Sequence, residues 1–111
     1  MDYPDFMKRF PLLDIPFPAD AVEAHALRSD AGLVVYFDVH KDCTVPPHSH
    51  LGQWGMLIDG EIELTVDGVT RTCRKGDTWD IPAGVVHSAV LKAGSKVMDV
   101  FEEPDRYKLR G

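Results

Sequence analysis

The segment PPHSHLGQWG, from Pro46 to Gly55, places two histidines one residue apart and a glutamine three residues later. Side chains alternate across a strand, so His48 and His50 would share one face, where two neutral imidazoles can bind one metal ion. Gln53 would point the other way in a regular strand, but Gly52 can mark a bulge or bend that returns it to the histidine side. The pattern predicts three donors aimed at one point. The alternative is an exposed His-x-His pair followed by a surface glutamine.

A second pattern follows in the segment GDTWDIPAGVVHSAVL, from Gly76 to Leu91. It reads glycine, five residues, proline, one residue, glycine, two residues, histidine, and its members are Gly76, Pro82, Gly84 and His87. Together with His48, His50, Gln53 and Gly60, this pattern resembles the two motifs of the cupin family. The fifteen residues from Glu61 to Lys75 match the short spacer of small cupins.

The resemblance implies an all-β fold, a small double-stranded β-helix or jelly-roll barrel, with a metal ion inside. Its ligands would be His48, His50, Gln53 and His87. Three imidazoles and one amide oxygen suit a divalent transition metal, one of Mn, Fe, Co, Ni, Cu or Zn. A barrel mouth with a few polar groups is a usual small-molecule site. We expect its lining to include Leu57, Trp79, Ala89, Leu91 and Phe101; Trp79 could stack on a sugar ring or simply belong to the core.

Three positions depart from the family pattern. Gln53 stands where many cupins have glutamate, so a bound metal would be a stronger Lewis acid but less tightly held. Leu91 stands where the second motif often ends in asparagine, and no glycine precedes the first motif between Lys41 and Thr44. These departures leave the fold assignment intact and the chemistry open.

Asp99 lies in the segment VMDVF, whose other members are all apolar. Because burying an unpartnered carboxylate is costly, Asp99 either faces solvent at an edge or serves as a general acid or base beside the metal. The tail DVFEEPDRY is also similar to the end of small cupins that process unsaturated uronates from pectin or alginate. Arg106 and Tyr107 could reach a ligand carboxylate, although we interpret them as solvated surface residues.

Strand patterns dominate the chain. In EIELTV, apolar and polar residues alternate from Glu61 to Val66, and Asp67-Gly68 then predicts a hairpin. DAVEAHAL, from Asp20 to Leu27, fits a short helix or a strand equally well. The first twenty residues, rich in proline and apolar side chains, read as an edge strand or extended arm. We expect residues 1–111 to form one domain and this arm to pack at a dimer interface.

The composition and net charge of the chain limit the kinds of partner that we expect and the cell compartment in which we expect the protein. The formal net charge of −6 argues against nucleic acid, and no apolar run approaches the ~20 residues of a membrane helix. The N-terminus shows no secretory pattern, and Cys43 and Cys73 are interpreted as reduced thiols, although a disulfide is possible in principle. We therefore expect a cytoplasmic protein. Trp54, Met56 and Ile58 alternate on an outer face, which predicts cover by a second subunit in a homodimer; the alternative is cover by the N-terminal arm of the same chain, and a swapped dimer would combine both. His25 and His40 are interpreted as lying outside the site.

The leading functional hypothesis is a metal-dependent isomerase- or lyase-type enzyme. It would act on a small polar carbon compound, such as an unsaturated uronate, with Asp99 moving a proton. An iron-dependent dioxygenase is a second hypothesis. A non-catalytic cupin that binds a small molecule such as a sugar is a third, because one fold hosts many functions.

Overall fold

The computed structural model describes residues 1–110, which form three antiparallel β-sheets, the two larger ones around a shared core. After a 3₁₀ helix at Asp5–Arg9, the chain runs through eleven strands. They are β1 (Leu13–Asp14), β2 (Val22–Ser29), β3 (Gly32–Val39), β4 (Cys43–His48), β5 (Gln53–Asp59), β6 (Glu61–Val66), β7 (Val69–Arg74), β8 (Thr78–Ile81), β9 (His87–Leu91), β10 (Lys96–Phe101) and β11 (Lys108–Leu109). The predicted all-β, jelly-roll fold is confirmed.

Of the two larger sheets, one has the strand order β2-β3-β10-β5-β8 and the other has the order β4-β9-β6-β7, while β1 and β11 pair in a small third sheet. Alternate residues of each strand point into the space between the sheets, because side-chain direction has a period of two. On β3, for example, Val35, Phe37 and Val39 are buried in this space. The intervening residues of β3 face outward, so the five-stranded sheet has a core face and an outer face.

The alternating segment EIELTV forms β6 as predicted, with Ile62 and Leu64 buried. The turn after it has positive φ at both Asp67 and Gly68, 50° and 78°, which matches the type I′ hairpin expected of Asp-Gly. The ambiguous segment DAVEAHAL is a strand rather than a helix, because Val22, Ala24 and Ala26 are all buried on one face.

The N-terminal arm, residues 1–20, packs against its own chain. The hydroxyl of Tyr3 donates a hydrogen bond to the carbonyl oxygen of Phe37 at 3.0 Å, and the Tyr3 and Tyr36 rings meet edge to face at 5.3 Å. Farther along the arm, Leu13 is buried in the core and Phe17 packs against it. The arm therefore covers part of the outer face near β3 and also contributes to the core.

Cys43 and Cys73 are both free thiols, in agreement with the sequence interpretation. Within residues 1–110, the structure contains no helix with the length and apolar character needed to cross a membrane.

Candidate metal centre

Two adjacent antiparallel strands of the four-stranded sheet, β4 and β9, bring His48 and His87 together. His48 is the last residue of β4 and His87 is the first residue of β9, and the two are paired across the sheet. Their ring centroids lie 4.2 Å apart. His50 joins them from beyond the end of β4, with its ring centroid 4.9 Å from that of His87.

The histidine pair does not occupy one face of a continuous strand, and the bulge expected at Gly52 is not what turns Gln53. Strand β4 ends at His48, the chain crosses from one sheet to the other, and β5 begins at Gln53. Gln53 therefore approaches from the facing sheet. The predicted convergence of these side chains is present, but a sheet-to-sheet crossing produces it.

Backbone carbonyl groups set the tautomer of all three imidazoles. The Nδ1 atoms lie 2.7–2.9 Å from carbonyl oxygens in three pairs: His48 with Pro46, His50 with Leu51, and His87 with Val85. Because a carbonyl oxygen only accepts, each Nδ1 must carry the proton, and each neutral ring then has its lone pair on Nε2. Ligand nitrogens of the three rings lie within 4.8 Å of one another.

Gln53 presents a fourth lone pair. Its Nε2 donates a hydrogen bond to Oδ1 of Asp99 at 2.9 Å, and the indole N–H of Trp79 donates to the same oxygen at 3.0 Å. The amide oxygen Oε1 of Gln53 is left buried with no hydrogen-bond partner, as are the Nε2 atoms of His50 and His87. Buried polar atoms normally have partners, so these orphaned acceptors fit a bound cation.

Burial keeps two of the imidazoles in the form that binds metal. Loss of solvent lowers the pKa of both His50 and His87, and the nearby positive charge of Arg106 acts in the same direction. Their backbone hydrogen bonds oppose this shift without reversing it. Both rings are thus held neutral at pH 7, as ligation requires.

Two glutamates in the tail hold the crossing segment that carries His50. The carboxylate of Glu103 accepts a hydrogen bond from the backbone N–H of Leu51 at 2.8 Å, and that of Glu102 accepts one from Gly52 at 2.9 Å. Sequence reasoning did not identify these residues. They lie about fifty positions from their partners, and no local pattern reveals such a contact.

Gly55 is another functional residue that the sequence analysis missed. A Cβ atom at this position would overlap Oδ1 of Asp99 and the indole of Trp79. Only glycine lets these two side chains meet across β5, so the hydrogen bond from Trp79 to Asp99 depends on it.

Three of the four candidate ligands, His48, Gln53 and His87, border a largely apolar cavity of about 70 Å³, room for several water molecules or the reacting end of a small ligand. Four of the expected lining residues do line it: Trp79, Ala89, Leu91 and Phe101. The expectation for Leu57 is wrong. Its side chain is fully buried but lies farther along β5, opposite Val97, and is not among the lining residues.

The tail contributes more to the cavity than expected. Tyr107, interpreted from the sequence as a surface residue, is partly buried and lines the cavity beside Phe101, with ring centroids 5.7 Å apart. The guanidinium group of Arg106 lies over the Tyr107 ring, 4.5 Å from its centroid. The Nε atom of Arg106 is buried and has no hydrogen-bond partner among the described residues.

Asp99 is enclosed at the base of this group. It is buried, and loss of solvent raises its pKa to about 6 despite the opposing hydrogen bonds from Gln53 and Trp79. The sequence left open whether Asp99 faces solvent at an edge or lies in the interior, and the structure buries it in the interior.

The family model described as "Cupin domain" matches residues 33–101, more than half of the chain. The chain belongs to the cupin family. The match begins in β3 and ends at Phe101, so it contains His48, His50, Gln53, His87 and Asp99.

Solved structures agree with this assignment. The cupin resembles an RmlC-like cupin from Shewanella frigidimarina, with a TM-score of 0.75 and 26% identity over 89% of this chain and 87% of that one. It also resembles KdgF from a Halomonas species, with a TM-score of 0.72 and 24% identity over 85% and 86% of the two chains. Oxalate decarboxylase from Bacillus subtilis has a TM-score of 0.71 and 19% identity over 89% of this chain and 28% of that one. At such identities the last two likenesses show the fold alone, and no curated protein matches this cupin.

Proposed function

We propose that this cupin is a metal-dependent enzyme that acts on a small, carboxylate-bearing polar carbon compound, such as an unsaturated uronate, in an isomerase- or lyase-type reaction. One observation carries the proposal. His87 and Gln53, each with an orphaned acceptor atom, line the same cavity as a buried carboxyl group, that of Asp99, and His50, whose Nε2 is also orphaned, has its ring 4.9 Å from that of His87. The carboxyl group of Asp99 combines burial with access to a ligand cavity, and a titratable group in such a place is a candidate functional group.

The residues that would hold the metal are His48, His50, His87 and Gln53. A divalent ion supplies Lewis acidity, which polarises a substrate carbonyl or hydroxyl group. The proposal specifies only a divalent transition metal, because imidazole and amide donors suit several ions of this class.

Asp99 would transfer the proton. A carboxyl group with a pKa of about 6 is populated in both protonation states near neutral pH, which suits an acid–base catalyst. Its hydrogen bonds from Gln53 and Trp79 hold Oδ1 in place. The apolar walls of the cavity, including Leu64, Ala89 and Leu91, exclude water from the reacting end of the ligand.

The position of Arg106 favours a substrate that carries a negative charge. Its guanidinium group lies over the ring of Tyr107, which lines the cavity, and its buried Nε–H has no acceptor among the described residues. A guanidinium group pairs well with a carboxylate. This feature, together with the resemblance of the tail to uronate-processing cupins, favours a sugar acid over a neutral sugar.

The test is turnover of unsaturated uronates by protein loaded in turn with Mn²⁺, Fe²⁺, Co²⁺, Ni²⁺ and Zn²⁺. The assay follows the loss of ultraviolet absorbance from the carbon–carbon double bond conjugated to the carboxylate. We expect Asp99→Asn to lower kcat by roughly 10²–10⁴-fold while metal content stays at the wild-type level. Full activity in Asp99→Asn would remove this residue from the mechanism.

Two other outcomes would replace the proposal. Oxygen uptake in step with substrate loss would identify a dioxygenase. Thermal stabilisation by a uronate without turnover, with every metal tried, would identify a binding protein instead.

A further inference from the structure

A second cluster of carboxylate and imidazole groups lies on the outer face of the five-stranded sheet, away from the cavity. Glu23 on β2 and Asp38 on β3 are directly opposite each other, and His40 follows the end of β3. Ligand atoms of these three residues lie within 4.8 Å of one another. Within residues 1–110, two groups bring three potential metal-binding atoms this close together: this cluster and the group formed by His48, His50 and His87.

His25 supplies an independent observation at the same place. Its side chain is only 6% exposed, and its Nδ1 lies 2.7 Å from the carbonyl oxygen of Phe10. A carbonyl oxygen only accepts, so Nδ1 carries the proton and a neutral ring has its lone pair on Nε2. That Nε2 is buried without a hydrogen-bond partner and lies 3.4 Å from Oε1 of Glu23.

An imidazole lone pair 3.4 Å from a carboxylate oxygen is unfavourable unless a positive charge lies beside them. Lys96 does not provide it, because its Nζ lies 2.8 Å from Oδ1 of Asp38 and forms an ion pair there. Glu23 has no ion-pair partner other than His25 among the described residues. With neutral imidazoles, the group formed by Glu23, Asp38 and Lys96 keeps one uncompensated negative charge.

We propose that Glu23, Asp38 and His40 bind a divalent transition-metal ion such as Zn²⁺, next to the buried Nε2 of His25, which lies 3.4 Å from Oε1 of Glu23. Carboxylate and imidazole donors together suit this class of ion. Asp38 retains a second oxygen for the metal. The side chains of Glu23 and His40 are 42% and 46% exposed, so solvent can complete the coordination and the ion can exchange.

Such an ion would join three parts of the chain. Glu23 and Asp38 belong to neighbouring strands, and His25 holds the carbonyl group of Phe10 in the N-terminal arm. Binding should therefore stabilise the folded protein, since a ligand that binds only the native state raises its stability by mass action. This second site is independent of the reaction proposed for the cavity.

The experiment uses the full chain carrying His48→Ala and His87→Ala, which removes the cavity site. Zn²⁺ is titrated by calorimetry, and the melting temperature is measured with and without Zn²⁺. We expect one Zn²⁺ per chain and a higher melting temperature in its presence. Adding His40→Ala, or separately Glu23→Gln, should lower the affinity at least tenfold and abolish the thermal shift, whereas the control Glu63→Ala, at an exposed position of β6, should change neither.

Two results would overturn the proposal. One is the absence of Zn²⁺ binding, or binding that His40→Ala does not weaken. The other is a His25 ring that stays protonated at both nitrogens in zinc-saturated protein by NMR, because a proton would then supply the positive charge. If the double variant does not fold, the same His40→Ala change in the otherwise wild-type chain should reduce the Zn²⁺ stoichiometry from two to one.

Discussion

Asp99 determines which end of the Gln53 amide faces the three histidines. Its carboxylate can accept but not donate, so the amide turns its NH₂ group towards Asp99 and leaves its oxygen unpartnered. The indole N–H of Trp79 donates a hydrogen bond to the same carboxylate oxygen and helps to hold it in position. One residue can thus orient a candidate metal ligand and, in the proposed reaction, exchange a proton with the substrate.

Arg106 gives the first prediction at the scale of single residues. Replacing it with Gln should raise KM for a carboxylate-bearing substrate about 10- to 100-fold, because a hydrogen bond to a charged group contributes ~1.5–3 kcal/mol. The change should leave metal content unchanged, since Arg106 donates to no candidate ligand. Steady-state kinetics on an unsaturated uronate and metal analysis of the same preparation check both statements.

The matched control for this prediction is Arg71→Gln, on the exposed hairpin strand β7. We expect wild-type kinetics from that variant. An Arg106→Gln protein with unchanged KM would show that the guanidinium group does not bind the substrate.

At the scale of elements, the crossing from β4 to β5 depends on contacts from a distant part of the chain. Glu103→Ala removes the acceptor for the N–H of Leu51 next to His50. Residues that support metal ligands commonly change affinity 10- to 100-fold when removed, so we expect weaker metal binding of about that size. Competition against a chelator of known affinity measures it, with Glu63→Ala as a charge-matched control; equal affinities in the two variants would contradict this role.

Strand β5 offers a second prediction, at Gly55. Gly55→Ala should destabilise the protein by ~1–3 kcal/mol, because the added methyl group overlaps Asp99 and Trp79 in a packed interior. Urea denaturation followed by tryptophan fluorescence measures the free energy of unfolding. We also expect the variant to lose turnover; a stable, active Gly55→Ala protein would mean that the two side chains need not meet.

Strands with clear alternation were predictable from the sequence, and contacts between distant strands were not. β6 and its Asp-Gly hairpin follow from local pattern and turn chemistry. For DAVEAHAL the local pattern left helix and strand open, and the partner strand β3 decides between them. The candidate metal ligands were predicted from the motif resemblance. The positions of Leu57 and Tyr107 relative to the cavity, and the contacts of Glu102 and Glu103, depend on distances along and between strands that no local pattern contains.

At the scale of the whole molecule, the outer face of the five-stranded sheet is divided into two regions. Near one end, Glu23, Asp38 and Lys96 form a charged row across β2, β3 and β10. Near the other end, an apolar row crosses the same strands and β5 in register: Leu27, Val34, Val100 and Trp54. The N-terminal arm has contacts near the charged end, at Tyr36, Phe37 and His25.

The apolar row gives the last prediction. Leu27, Trp54 and Val100 are 53%, 39% and 37% exposed, and a contiguous apolar surface of this kind favours burial against another molecule. We propose that a second copy of the chain covers it, since a two-fold axis lets the same row serve both subunits. Light scattering after size-exclusion chromatography should give twice 12.4 kDa for the wild type and 12.4 kDa for Trp54→Asp. Val69→Asp, at a residue 71% exposed on the distant hairpin, is the matched control and should remain dimeric. A monomeric wild type at high micromolar concentration would contradict the prediction, and a dimer that survives Trp54→Asp would place the interface elsewhere.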